Sequence, residues 1–404
     1  MSKKIIYIFY SGMNESLISN GNSISKVLQN QYIGLRKISH HGVSYKFFTP
    51  FNNALKKDYK DIEFPNYVNL FLKKFIKIIP YRIKKLIFGT SSSLSIENLL
   101  KTGLFIRFLT KKSDLFIIHG SYKFIINLKW CFQNRKVIYY HHGGTLLRIP
   151  NKQLSLISKV VSNRIISVSK SAISPFKSVN NKMQCIHNGI DPKTFEFHNL
   201  NHKKIRKDIR KKYQIGSDEL CFLIGGSMKK EKGYDLLLEC VSKFEFNRKI
   251  KIFIVGDLTK NVDLNFLNKL KKIADGEDLS VKFLGNLSQN DLYDVIIASD
   301  IGFQLSKPEL AEGISIFLLE MIFLGLTVIV SDSGGNKEVI KNKYSGIILE
   351  NYNTNSLSDS IKSILNKNDR QNLALNAKKS AFKNFTNIQM VKKLHNYIER
   401  EIEP

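Results

Sequence analysis

Acidic side chains are what the first half of this 404-residue chain lacks most. Residues 1–200 hold 8 Asp and Glu against 31 Lys and Arg, while the remainder holds 26 against 32. Most of the formal charge of +29 therefore sits in one half. Such asymmetry points to an anionic partner: nucleic acid, a membrane or an acidic ligand. An Asn-, Lys- and Ile-rich bias accounts for the lysines but not for the missing acids. Helix-turn-helix cues, zinc-finger spacing and an aromatic ribonucleoprotein signature are all lacking, so no nucleic-acid partner is expected and nucleic-acid binding is a remote alternative.

Cysteine is scarce too. Cys131, Cys185, Cys221 and Cys240 lack metal-site spacing, which excludes a disulfide scaffold and suits a reducing, cytoplasmic compartment. A long apolar run is also missing. Gly313 to Val330 carries one charge, Glu320, but Gly325 interrupts it and Leu326–Val330 is β-branched, so a helix followed by a strand is expected rather than a membrane span. The start, Met1-Ser2-Lys3-Lys4 before Ile5–Tyr10, has no convincing cleavage site and reads as a first strand.

What is present is a balanced globular composition, 43% hydrophobic and 24% charged, which excludes collagen-like, mucin-like and wholly disordered chains. Apolar, β-rich runs recur at 5–10, 115–118, 137–140 and 164–168, then at 221–224, 250–255, 281–284, 301–305, 326–330 and 346–349. Helix-length segments separate them, so two parallel sheets covered by helices are expected: an α/β chain of two doubly wound, Rossmann-like domains. Turn chemistry at Asn188-Gly189 and Asp191-Pro192 marks the boundary, giving domains at 1–183 and 184–384. The basic segment 203–212 is expected as a solvated helix opening the second domain. An amphipathic last helix, 385–404, is expected to cross back to the first.

Two segments suggest chemistry. Ser315 is a plausible N-cap, and Ile316–Leu324 is apolar except for Glu320. A carboxylate within a helix buried all round is costly unless it accepts specific hydrogen bonds. The amides of Gly313, Ile314 and Ser315 would form that helix's positive end, suited to a diphosphate, with Glu312 at the rim. Elsewhere, Val68, Phe71, Leu72, Phe75, Ile76 and Ile79 form one helical stripe opposite Lys73, Lys74 and Lys77. Arg82, Lys84 and Lys85 repeat the theme, and no acid lies between 64 and 88. That suits a helix lying on an anionic membrane, as at the inner face of the plasma membrane; an ordinary helix packed on a sheet needs the same stripe.

Glu312 and Glu320 with their spacing, then Gly325 and Ser331-Asp332-Ser333-Gly334-Gly335-Asn336, resemble the nucleotide-sugar-binding domain of family four retaining glycosyltransferases. Gly225-Gly226-Ser227 through Lys232-Gly233, Val255-Gly256-Asp257, Gly285-Asn286-Leu287 and His187–Asp191 match the family's landmarks in order. The resemblance covers about 185–385 well and the first half loosely. It implies the GT-B fold, with both domains facing a central cleft and the first taking the acceptor.

By the same resemblance, Glu312 would hold the donor sugar, Glu320 the ribose, and Gly313, Ile314 and Ser315 the diphosphate with Lys232. Asn286 and Leu287 would lie along the base, His142 would contact the transferred sugar, and Gly21-Asn22 would form a loop between the domains. Ser227 replaces the family's usual Arg, which Lys229 or Lys230 would compensate. The implied activity is metal-independent, cofactor-free, hexosyltransferase-like transfer from a nucleoside diphosphate sugar. A lipid-linked or growing-glycan hydroxyl would accept the sugar, in polysaccharide or glycolipid synthesis. A nucleotide-sugar epimerase and a non-catalytic glycosyltransferase-like partner are the alternatives.

Overall fold

The computed structural model describes residues 4–10, 23–38, 43–48, most of 103–143, 151–161, 164–176 and 183–402 apart from 260–261, 277–278 and 310–311. The basic helix expected over 65–88 and the loop at Gly21-Asn22 lie outside the described residues. The chain divides into two units, Met1–His187 with Met390–Pro404, and Asn188–Gln389.

The first unit holds β1 (Lys4–Tyr10), β2 (Val43–Phe48), β3 (Leu115–His119), β4 (Lys136–His141), β5 (Ile165–Ser167) and β6 (Met183–Cys185). They form one parallel sheet in the order β2-β1-β3-β4-β5-β6. β3 is buried at every position, which is why it reads as a continuous apolar run. β2 and β6 are the two edges, and neither stands out as such a run. Val-Ser-Tyr-Lys-Phe-Phe mixes polar and apolar residues, and all three residues of β6 are half-buried. The final helix, Asn387–Ile402, meets this unit: Lys136 Nζ donates to Glu401 O at 2.8 Å, and Tyr45 Oη lies 2.7 Å from His395 Nδ1.

The second unit holds β7 (Leu220–Gly225), β8 (Ile250–Val255), β9 (Ser280–Gly285), β10 (Ile301–Gln304), β11 (Thr327–Val330) and β12 (Ile347–Ile348). The parallel order is β12-β11-β10-β7-β8-β9. β7, β10 and β11 are buried throughout. Each large core side chain such as Phe222 or Phe303 contributes about 1.5–3 kcal/mol by leaving water.

The segment expected to be a solvated helix is one, His202–Lys212, and it buries no residue. It is nevertheless clamped rather than free. Arg206 and Arg210 reach Asp300 at 2.6 and 3.0 Å, and Arg206 Nη1 also donates to Ile297 O and Ser299 O. Guanidinium groups suit the unpaired carbonyls that end the helix Gln289–Ala298. Among the described residues no helix is long and apolar enough to cross a membrane.

Candidate functional site

In the second unit the strands run towards one edge, and the turns leaving β7, β10 and β11 bring the charged groups together. β10 continues into Leu305-Ser306, and the loop after β7 returns as Lys230–Lys232 capped by Gly233. Gly233 has φ +74°, and a Cβ there would stand 2.3 Å from Leu305 O. That close approach seats Lys232 against the end of β10. Glu231 O accepts from Lys307 N at 2.9 Å and holds the same loop.

Lys232 Nζ then donates to both carboxylate oxygens of Glu312, at 2.6 and 2.9 Å, and Ser306 Oγ donates to Glu312 Oε2 at 2.9 Å. Gln304 Nε2 reaches Ser306 Oγ at 3.3 Å, and Ser331 Oγ donates to Ser306 O. From behind, the turn at Gly334 supports Glu312. Its φ is +54°, a Cβ would fall 2.2 Å from Glu312 O, and Gly335 N donates to that oxygen at 3.1 Å.

Two residues beyond Glu312 begins the approach to the helix Ile316–Phe323. Ser315 is its N-cap, accepting from Leu318 N at 3.4 Å. Asn188 Nδ2 donates to Ile314 O at 3.0 Å, which fixes the turn that precedes the helix. The amides of Gly313–Ser315 thus belong to a braced turn at the positive end of an eight-residue helix. Glu320 is buried within that helix, 2% exposed, and Tyr293 Oη donates to its Oε1 at 3.4 Å. Burial, then the nearby carboxylate, pushes the Tyr293 phenol up.

The structure therefore joins Lys232 and Glu312 directly and sets Gly313, Ile314 and Ser315 beside them. Glu320 faces a different partner, Tyr293. Ser227 and Lys229 are exposed, and Lys230 pairs with Asp263 at 3.7 Å. Asn286 is exposed and Leu287 half-buried just after β9. Sequence reasoning missed Ser306, Gln304 and Tyr293 and treated Asn188 as a boundary turn. Ser306 carries no motif of its own; its place depends on the β10–β11 pairing.

The first unit offers a separate histidine cluster at the ends of β3 and β4. Tyr139 Oη donates to Gly120 O at 3.1 Å and lies 3.4 Å from His141 Nδ1, while Gly143 N donates to His141 Nε2 at 3.1 Å. Since Nε2 accepts, His141 carries its proton on Nδ1 and is neutral. His119 Nδ1 lies 2.9 Å from His142 Nε2, and His119 Nε2 is buried with no partner. A buried orphan acceptor costs less than a buried orphan N–H. His119 therefore donates to His142, whose own proton sits on Nδ1, a donor without a protein partner among the described residues.

Burial holds His119 and His141 well below the ordinary histidine value, and desolvation brings His142 to about 3. Sequence reasoning singled out His142 and missed His119. The signal available was that both end adjacent parallel strands, with His119 in register with Tyr140.

Residues 205–380 match the family model described as glycosyl transferases group 1. Uncharacterized glycosyltransferase MJ1607 of Methanocaldococcus jannaschii is 26% identical over 238 residues, 58% of this chain and 59% of that protein. The match thus spans about three fifths of that relative's length. Among solved structures, a glycosyltransferase from Rickettsia africae aligns with TM-score 0.72, 21% identity and coverage of 99% of this chain and 98% of that one. HepE of Anabaena, in complex with UDP-glucose, aligns with TM-score 0.71, 16% identity and coverage of 98% and 99%. Over 205–380, most of its second unit, the chain is therefore similar to glycosyl transferases group 1, and its two parallel-sheet units have the GT-B fold of the solved glycosyltransferases.

Proposed function

We propose that the chain is a retaining, family-four-type glycosyltransferase. It takes a sugar from a nucleoside diphosphate sugar and places it on a hydroxyl of a lipid-linked or growing-glycan acceptor, in cell-surface polysaccharide or glycolipid synthesis. One observation carries the reading: Glu312, held by Lys232 and Ser306, stands at the mouth of an apolar helix that hides a second carboxylate. The group 1 match over the same unit and the fold shared with a UDP-glucose-bound protein support it.

Without donor, Lys232 and Glu312 neutralise each other. The diphosphate takes over Lys232 and the amides of Gly313, Ile314 and Ser315, which frees Glu312 for hydroxyls of the sugar. Glu320 and the Tyr293 phenol beside it serve the ribose, and Asn286 and Leu287 border the base. As the bond from the anomeric carbon to the diphosphate oxygen breaks, the acceptor oxygen bonds to that carbon from the same face. The acceptor proton passes to the departing phosphate. Fixed charge at the leaving oxygen is the main catalytic contribution of this unit. The first unit takes the acceptor and presents His142 Nδ1–H to a sugar hydroxyl. Membrane action rests on the stripe at 65–88, and binding to anionic vesicles that falls on replacing Lys73, Lys74 and Lys77 by Gln tests it.

Ser227 favours one second reading, a non-catalytic partner, because an exposed serine brings no charge to the diphosphate. Lys229, exposed two residues on and without an ion-pair partner among the described residues, supplies the cation. The test is a donor panel with glycan and lipid-linked acceptors, run with and without chelator and read by product and anomeric configuration. Transfer with retained configuration in chelator is expected. Interconversion of the free donor without acceptor, or no turnover with any donor, overturns the proposal.

A further inference from the structure

A cavity of about 350 Å³ opens at the opposite edge of the second sheet, where β10 and β11 begin. Two helices present their first turns to it: His202–Lys212 through Lys203 and Arg206, and Lys367–Asn384 through Lys367 and Arg370. Cations at a helix start oppose its dipole; at Lys367–Asn384, Asp369 and the Asn366 cap offset this, whereas the other start lacks such relief. The first helix has no acidic residue in its opening turn and no side-chain hydrogen bond from its N-cap, Asn201. Among the described residues Asp300 is the one acid lining the cavity, and Arg206, Arg210 and the Cys221 amide already occupy it.

Arg370 is the informative group. It is 7% exposed, yet only Nη1 is used by the protein, donating to Ile364 O at 2.9 Å and Leu365 O at 2.6 Å. Nε and Nη2 have no partner among the described residues. A buried guanidinium with an unspent edge, lining a cavity with two lysines that form no ion pair among the described residues, is a ready fork for a tetrahedral dianion. Leu324, Leu326 and Ala374 supply an apolar wall beside it.

We propose that this cavity binds a phosphoryl group of a small ligand or lipid headgroup. Arg370 and the two helix starts hold the phosphoryl oxygens, and the apolar wall takes the attached body. The site is separate from the Lys232–Glu312 cluster, which lies at the other ends of the strands. Phe197 and Leu200, 65% and 81% exposed just before His202, make a lipid source physically reasonable.

The test uses the full chain with inorganic phosphate in chloride of matched ionic strength, read by calorimetry and thermal shift. Lys203→Gln/Lys367→Gln alters two exposed positions and should weaken binding about tenfold. Lys232→Ala should leave it intact while weakening nucleoside diphosphate binding at the donor site. Vesicles containing phosphatidic acid form the second arm. Binding lost in the double variant there assigns the lipid source, and soluble binding alone assigns a free phosphorylated ligand. No binding in either arm at millimolar concentration, equal binding by the double variant, or loss in Lys232→Ala overturns the proposal. None of these outcomes depends on turnover.

Discussion

The two six-stranded parallel sheets are built alike but finish differently. The strands of the second end in glycine-rich turns that carry a formal ion pair, Lys232 with Glu312, beside a helix start. The strands of the first end in stacked neutral rings: His119 lies 4.4 Å from Tyr140, and Tyr140 lies 5.3 Å from His142. One end is arranged to meet charge and the other to offer neutral donors. A repeated architecture therefore says little about chemistry; the residues just past each strand decide it.

The sharpest way to break the comparison is Glu312→Ala. Turnover should fall about 10²–10³-fold or more, with stability nearly unchanged since Lys232 gains access to water. A donor-dependent product assay beside a melting curve checks this. Next comes Gly233→Ala, which puts a Cβ into Leu305 O. It should cost about 1–3 kcal/mol and displace Lys232, lowering both the urea midpoint and donor affinity.

The neutral end predicts a pH effect. A histidine lowered to about 3 stays neutral in the fold while the unfolded chain takes up a proton near 6.5. Its contribution is complete above that value and is lost progressively as pH falls towards 3. Urea midpoints at pH 7.5, 6 and 5 should therefore decline, and His142→Gln should make the decline shallower. The smallest change is Tyr293→Phe, expected to cost about 1 kcal/mol through the lost bond to Glu320. Donor affinity should drop with kcat hardly altered.

Much of this was legible before any coordinates. Buried central strands such as β7 and β11 announce themselves because both faces must be apolar. β2 and β6 escaped because edges need less burial, and Val43–Phe48 looks like ordinary mixed sequence. Within the site, Glu312, Ser315 and Glu320 were readable from local spacing. Ser306 and Gln304 were not, since their role arises only when β10 and β11 lie side by side. His119 was hidden for the same reason, being far in sequence from His142 and near it only across the β3–β4 pair. The clamp of Arg206 and Arg210 on Asp300 likewise joins residues far apart along the chain.

The central claim is that the charged end of the second sheet receives a nucleoside diphosphate. Calorimetric titration with UDP, GDP, ADP and dTDP addresses it directly. At least one should bind wild-type protein, and Lys232→Ala should bind that same nucleotide about tenfold more weakly. Heat from none of them, or equal affinity in Lys232→Ala, would contradict the account.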